Sequence, residues 1–282
     1  FGIGGGLCCL LVVLGIVAIA VISRRNKGGR YTGGGAGGGG DGPAAYMGSD
    51  AMYVGKLSLG IDWRARPEVQ AALQRLAESG DTSSPEGLAN LLRETVLALR
   101  RAEMSWLYVG EERHGPSSPQ DAQTTFNQLA MNARSAFQTE VVRASGGQVQ
   151  AQDAPDQQAR STQGEGTVVV DLVLAAYRPL PSLESADADQ IRAALDALAG
   201  LTPEQLGALE VVWSPAAEDD RMSTAELEQF YPSLRLIDPN SIAGRIFCSY
   251  CRGPFAMELL NCPHCGAPAE ASRDNRAPPG AS

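Results

Sequence analysis

The chain has 282 residues, of which 44% are hydrophobic and 20% charged, and its formal net charge is −9. This length and apolar content can build one or two domains with hydrophobic cores, which excludes a wholly disordered chain and a small disulfide-stapled scaffold. The acidic balance lacks the diffuse positive field that nucleic-acid binding requires, so we expect no nucleic-acid partner.

The N-terminal region predicts a membrane anchor. Residues 7–22 form an unbroken apolar run without charge, and about 20 helical residues cross a hydrocarbon core of about 30 Å. Basic residues follow the run and favour a cytoplasmic position for what comes next: Arg24, Arg25, Lys27 and Arg30. Residues 1–25 are therefore predicted to be a single-pass anchor in an inner (cytoplasmic or intracytoplasmic) membrane, with the C-terminal domains on the cytoplasmic side.

Other interpretations of this segment are less favoured. A cleaved signal peptide carries its basic residues before a shorter apolar stretch, whereas here they follow it. A pilin-like terminus would begin with Phe1 but would usually carry a Glu where this chain has Gly5. Lipid attachment at Cys8 or Cys9 is a further alternative, although Leu7 is a poor residue before a lipoprotein cysteine.

Residues 26–51 are dominated by glycine and predict a flexible linker. Glycine loses more backbone entropy on ordering than any other residue and has no side chain to bury. A phosphate-binding loop would need a preceding strand, a following helix and a Gly-Lys-Ser/Thr ending, which this segment lacks.

Residues 52–239 alternate between strand-like and helix-like patterns and predict an α+β domain. The expected strands are 53–62, 106–109, 167–176 and 209–213. Helices are expected at 67–79, from Pro85 with Ser84 as N-cap, from Pro119 through Val141, at 187–198, briefly after Thr202-Pro203, and from Ser223 to Phe230. Residues 111–116 are expected to be a polar turn and 148–166 a mobile excursion.

Two consecutive helices separate the first two strands, which predicts helices packed on one face of a small, mostly antiparallel sheet. The complete expected architecture is α+β: an N-terminal transmembrane helix, a glycine-rich tether, this domain and a C-terminal zinc ribbon.

Several motifs in this domain resemble the DUF1517 family of cyanobacterial and chloroplast membrane proteins. They occur in the family's order over roughly residues 1–237, and the glycine-flanked apolar segment is similar too. The matching segments are 81–88 (Asp-Thr-Ser-Ser-Pro-Glu-Gly-Leu), 93–99, 126–129, 134–137, 168–176, 210–215 and 231–234 (Tyr-Pro-Ser-Leu).

The resemblance implies a membrane-bound protein without an established reaction, in a photosynthetic or other energy-converting membrane; one plant relative is tied to acclimation of photosynthesis to fluctuating light. The chain departs from the family pattern at Ala136 and Gln138, where a Lys and acidic residues are usual. A zinc ribbon is not a usual part of the family either.

Four cysteines near the C-terminus predict the metal site. Cys248 and Cys251 form one C-x-x-C knuckle, and Cys262 and Cys265 form a second one after ten residues. Two such knuckles can supply four thiolates to one tetrahedral zinc ion. A site with four cysteine ligands leaves no position for water, so the single zinc is expected to be structural. The predicted ribbon spans 240–270, and 271–282 is predicted to be a disordered tail.

Disulfides and redox dithiols are the alternative interpretations of the knuckles. A cytoplasmic compartment disfavours structural disulfides. The sequence around the cysteines does not match the strand-to-helix pattern of a thioredoxin-like redox site. His264 is expected to form a hydrogen bond or face solvent, and Gly253 and Gly266 are expected to tighten the turns. The segment 238–282 carries four arginines against four carboxylates. We therefore expect protein contacts rather than nucleic acid, through some of Tyr250, Phe255, Met257, Leu259 and Leu260.

The sequence contains no motif of a known catalytic set. It has two histidines, His114 and His264, and the acidic run 218–220 has no nearby partner. An enzyme would instead require a deep polar pocket that holds Asp62, Glu94 or His114. We predict no enzymatic activity and identify no small-molecule substrate.

These observations predict an accessory or scaffolding subunit whose partners are the membrane and a larger integral membrane protein complex. The alternative is a transient regulatory or assembly factor of such a complex, which would use the ribbon as a docking module.

Overall fold

The computed structural model describes residues 16–17, 51–136, 166–215, 222 and 224–276. The glycine-rich linker, nearly all of the predicted membrane anchor, the excursion up to residue 165 and the acidic run 218–220 lie outside these residues. No helix in the described ranges has the length and apolar content needed to cross a bilayer.

Six antiparallel strands form the main sheet, in the order β1-β5-β4-β2-β3-β6. The predicted strand at 167–176 is confirmed as β4, and all ten of its residues are buried. It lies between β5 and β2, which explains why its sequence is almost entirely apolar, with Asp171 as the one charged residue. The bounds of the six strands are β1 Ile16–Val17, β2 Met52–Asp62, β3 Trp106–Ser117, β4 Thr167–Ala176, β5 Leu206–Ser214 and β6 Arg235–Leu236.

Five α-helices accompany this sheet in the described part of the chain. The predicted cap of the second helix is confirmed, because the Ser84 hydroxyl accepts a 3.0 Å hydrogen bond from the Gly87 amide. Asp187 caps the fourth helix by accepting a hydrogen bond from Asp189. The helices are α1 Arg66–Ser79, α2 Pro85–Arg101, α3 Pro119–Ser135, α4 Ala188–Ala199 and α5 Thr224–Phe230.

Helices cover both faces of the sheet, so the prediction of a single covered face is wrong. Helices α1, α2 and α4 pack on one face against the even-numbered residues of β4, such as Leu172, and form the main core. Helix α3 packs on the other face through Phe126, against Val54, Val173 and Val212. Because side chains alternate along a strand, a strand with apolar residues at consecutive positions can serve two cores.

Two local predictions are also wrong. Residues 111–116 are not a turn but continue β3, paired with β2 through contacts such as Val54 opposite His114. Their polarity reflects exposure rather than chain reversal. The segment after Thr202 is a turn rather than a helix, and the Thr202 carbonyl accepts hydrogen bonds from the amides of Gln205 and Leu206. Helix α3 is confirmed up to Ser135, whereas Phe137 and Val141 lie outside the described residues.

The C-terminal module contains a two-stranded antiparallel hairpin, β7 (Arg245–Phe247) and β8 (Pro254–Ala256), followed by a 3₁₀ turn at Ala269–Ser272. The segment that leads into it is part of the main domain core, since Ile237 and Ile242 are both buried there. Residues 271–276, assigned to the tail from sequence, fold back on the ribbon. Ser272 is fully buried, and the Asn275 carbonyl accepts a 2.7 Å hydrogen bond from the Phe247 amide.

Candidate metal centre and its attachment to the domain

The structure brings the four predicted cysteines together. Their sulfur atoms all lie within 4.8 Å of one another, with Cys248 Sγ 3.7 Å from Cys265 Sγ and Cys251 Sγ 3.6 Å from Cys262 Sγ. A disulfide would need a separation of about 2.05 Å. By contrast, a zinc ion with bonds of about 2.3 Å to four sulfurs places them about 3.8 Å apart. The arrangement therefore fits a tetrahedral metal ion.

The two knuckles have the same backbone hydrogen bonds. In the first, the Arg252 amide donates to the Cys248 carbonyl at 2.8 Å, and the Cys248 amide donates to the Gly253 carbonyl at 3.0 Å. In the second, the corresponding donors are Gly266 and Cys262, with distances of 2.9 and 2.8 Å. Each knuckle is thus a tight turn that holds two sulfurs on the same side.

The expected role of glycine in tightening the turn is confirmed at Gly266 but not at Gly253. The left-handed conformation occurs at Arg252, with φ +59°, and at the equivalent Gly266, with φ +76°. Gly253 has another role: a Cβ atom there would lie 2.7 Å from atoms of both Arg64 and His264. Only a residue without a side chain allows these two groups to approach the first knuckle so closely.

His264 does not join the sulfur cluster. Its Nε2 atom lies 3.0 Å from the Pro254 carbonyl oxygen, so the predicted hydrogen-bonding role is confirmed. The ring links the second knuckle to β8, the strand that follows the first knuckle.

Backbone amides favour a thiolate at Cys248. Burial opposes ionisation of this thiol, but the amides of Cys251 and Tyr250 donate to its sulfur, and together with neighbouring thiols they lower its pKa. The amides of His264 and Cys265 have the equivalent position at Cys262, where burial outweighs them and raises the pKa. A metal ion would supply the positive charge needed to hold all four groups as thiolates.

The ribbon has a small core and an exposed apolar surface. Phe255, which the sequence left as a candidate for protein contact, is buried beside Ile246 and Ala269. Tyr250, Leu259 and Leu260 are exposed, with 67%, 41% and 79% of their surfaces accessible.

Arg64 joins the first knuckle to the α+β domain. It follows the end of β2, where its guanidinium pairs with the buried Asp62 carboxylate at 3.0 Å. Its Nη2 donates to the Cys251 carbonyl. Burial raises the pKa of Asp62, and Arg64 opposes this increase by stabilising the carboxylate. A predicted metal ligand is thus one hydrogen bond from a buried ion pair of the main domain.

A second arginine fixes the start of the hairpin. Arg245 is buried, and its Nη1 donates a 2.5 Å hydrogen bond to the Trp106 carbonyl at the start of β3. Burial lowers the pKa of Arg245 to about 10, although Asp238 and Glu103 oppose the shift. Neither arginine's role was predictable, because nothing in the sequence associates position 64 with 251 or 245 with 106.

The candidates for an enzyme do not converge. Asp62 and His114 lie near opposite ends of β2, since His114 is opposite Val54. Glu94 is exposed on α2. His114 is exposed and lies 2.9 Å from Glu112.

Comparison with known proteins identifies relatives of the α+β domain. The chain is 31% identical over 193 residues to "Protein FLAP1 homolog A" of Synechocystis sp., covering 65% of this chain and 56% of the relative. It is 32% identical over 181 residues to "FLUCTUATING-LIGHT-ACCLIMATION protein 1, chloroplastic" of Arabidopsis thaliana, covering 64% and 45%. The chain therefore spans about half the length of these curated relatives. No solved structure matches it.

The family model described as "Protein of unknown function (DUF1517)" matches residues 51–237. The match includes the domain core and Arg64 but ends before the four cysteines. The chain belongs to the DUF1517 family.

Proposed function

We propose that this protein is a non-enzymatic accessory subunit of a photosynthetic or other energy-converting membrane. In this proposal an N-terminal helix anchors the chain, and the α+β domain and ribbon dock on the cytoplasmic face of a larger membrane protein complex. The observation that carries the proposal is the family relationship, since two relatives from photosynthetic organisms are named as light-acclimation proteins or their homologue.

The proposal also includes one structural zinc ion in the ribbon. Its ligands would be Cys248, Cys251, Cys262 and Cys265. The geometry of the four sulfurs supports this assignment. Metal analysis of reduced, undamaged full-length protein should give one zinc per chain, and Cys262→Ser should abolish it. A wild-type content clearly below one zinc would contradict the zinc assignment without affecting the membrane proposal.

Docking is tested by gentle extraction of the tagged full-length chain from its native membranes. In mild detergent the chain should migrate in an assembly much larger than its own 29.6 kDa and bring constant amounts of the same membrane proteins. Migration at its own mass in several detergents would overturn the proposal of a stable subunit.

Surface variants sharpen this experiment. Tyr250→Ser combined with Leu260→Ser should reduce co-purification at least tenfold, because both side chains are exposed and apolar on the ribbon. Leu97→Ser with Met131→Ser is the matched control, as these residues are exposed by 41% and 53% but lie on α2 and α3. Equal effects of the two pairs would argue against docking through the ribbon.

The alternative is a transient regulatory or assembly factor of such a complex, and the names of the relatives support it because acclimation responds to changing light. This alternative expects substoichiometric association that differs between steady and fluctuating light. A constant ratio to the partner proteins under both conditions would exclude it.

A further inference from the structure

An open cleft lies on the α3 face of the sheet, and none of its lining residues belongs to the ribbon. It has a volume of about 390 Å³, within the range of small-molecule sites. One wall is the end of α3, and the other is the end of α5 with the loop that follows it. The residues that line it are Lys56, Asn132, Ala133, Ser135, Ala136, Gln229, Phe230, Tyr231, Pro232 and Ser233.

Lys56 supplies the single charge of this lining. Its side chain is only 15% exposed, and its nearest anionic partner, Glu112 Oε2, is 3.8 Å from Nζ. That separation exceeds a hydrogen bond, and Lys56 makes no other side-chain hydrogen bond to the residues that the structure describes. The ammonium group has three donors, and its Nζ atom retains contact with solvent, so a ligand in the cleft can reach it. The exposed Glu112 carboxylate is screened by water and binds Lys56 only weakly.

Tyr231 lines the cleft but offers no donor to a ligand. The residue is 5% exposed, and its hydroxyl is buried beside Ser214, out of reach of a molecule in the cleft. Beneath the cleft lies Asp171, which is buried in β4 and accepts a hydrogen bond from the Ser58 hydroxyl. Asp171 does not line the cleft, but when it is ionised it attracts the Lys56 ammonium, so a bound anion competes with this carboxylate.

The other lining residues indicate what the ligand would carry besides its anionic group. Asn132, Gln229 and Ser233 add neutral polar groups, while Phe230 and Pro232 present an aromatic ring and an apolar surface. No carboxylate is among the described lining residues. A molecule with an oxygen anion at one end and a small apolar body would therefore use both parts.

We propose that this cleft binds a small organic anion, a carboxylate or phosphate, whose oxygens accept hydrogen bonds from Lys56 and whose apolar part packs on Phe230 and Pro232. The same chemistry is found in soluble metabolites and in anionic lipid headgroups. This site is independent of the zinc ribbon and of the proposed docking.

Phenyl phosphate is a suitable probe because it combines an anionic oxygen group with an aromatic ring. Titrated calorimetrically into the full-length chain in phosphatidylcholine nanodiscs, it should bind with a dissociation constant below about 1 mM. Lys56→Met should weaken binding at least tenfold. Arg113→Met removes an exposed cation that pairs with Glu111 and does not line the cleft. This control should leave the binding of phenyl phosphate unchanged. Benzyl alcohol, which lacks the anion, should not bind measurably.

A second variant keeps the proposal testable if Lys56→Met fails to fold. Ser233 is exposed at the rim, so Ser233→Phe should fill the cleft and abolish binding while the thermal unfolding temperature is retained. No binding by the wild type, or equal binding by wild type and Ser233→Phe, would overturn the proposal. Doping the nanodiscs with phosphatidylglycerol distinguishes the sources: competition with the probe assigns a lipid headgroup, and unchanged affinity assigns a soluble anion.

Discussion

The α+β domain and the ribbon reach a fixed structure by different means. The domain buries a large apolar core between its sheet and three helices, with a second core under α3. The apolar core of the ribbon is small and consists of Ile246, Phe255, Ala269 and two of its own cysteines. Burial of apolar surface can stabilise the domain, whereas we expect a module with so little core to depend on a bound metal ion. The two parts are nevertheless joined by Arg64 and Arg245, so the difference between them can be tested.

Loss of the metal should have the largest effect, and it should be confined to the ribbon. Structural zinc sites contribute about 10–16 kcal/mol of binding free energy that is coupled to folding. Cys262→Ser removes a buried ligand and should abolish zinc binding and the hydrogen-exchange protection of residues 245–276. Strands β2 and β4 should retain protection, because their core contains no metal ligand. Exchange measured by mass spectrometry checks both expectations.

Cys8→Ser is the matched control for that experiment, since Cys8 lies outside the ribbon and should leave metal content unchanged. Loss of protection in β4 on Cys262→Ser would contradict the separation of the two parts and indicate one cooperative unit.

A cavity in the domain core should have the next largest effect. Leu172 is fully buried at the centre of β4, and Leu→Ala at such a site costs about 2–5 kcal/mol. Leu172→Ala should lower the denaturant midpoint of the domain by that amount while the folded fraction still binds one zinc. Leu97→Ala, on the exposed side of α2, should cost less than about 0.5 kcal/mol. A loss of zinc affinity in folded Leu172→Ala protein would show that the ribbon depends on the domain's packing.

The domain and the ribbon could each be predicted from the sequence, but the contacts between them could not. The knuckle spacing identified all four cysteines, because metal ligation imposes strict local distances. The buried strand β4 was also predictable, since a run of β-branched residues has one favoured conformation. The second covered face was missed because the apolar residues of β2 and β4 occur on both sides, and periodicity alone does not say which helix covers which side. The contact of Arg64 with Cys251 joins residues 187 positions apart, and no local pattern encodes such a pairing.

Loss of the Arg64 contact between the domain and the ribbon should have a moderate effect on stability and on zinc release. Arg64→Ala removes the donor to the Cys251 carbonyl and leaves the Asp62 carboxylate buried without its cation, which costs about 2–3 kcal/mol. Zinc release to a chelator should become roughly tenfold faster, because the first knuckle loses its support. Arg64→Lys should restore part of the pairing with Asp62 but less of the contact with Cys251.

Arg100→Ala serves as the control for Arg64, since its ion pair with Asp196 is more exposed and such pairs contribute about 0–1 kcal/mol. If Arg64→Ala destabilised the domain but left the rate of zinc release unchanged, the arginine would stabilise β2 without supporting the metal centre.

The smallest expected effect lies in the domain, and it depends on pH. Burial raises the pKa of Asp171 from 3.8 to about 6, against the opposing influence of Lys56 and Ser58. The folded state therefore holds this proton more tightly than the unfolded state. The Asp171 contribution to stability is fully present below pH 4 and is lost as the pH rises to about 6. Asp171→Asn removes the ionisable group, so it should stabilise the domain by about 2 kcal/mol at pH 8 relative to its effect at pH 4. Denaturant unfolding of both proteins at several pH values measures this difference, and the contribution of the zinc site cancels in the comparison. A difference that does not change with pH would mean that Asp171 titrates at its ordinary pKa, and that the centre of the sheet is more hydrated than its burial indicates.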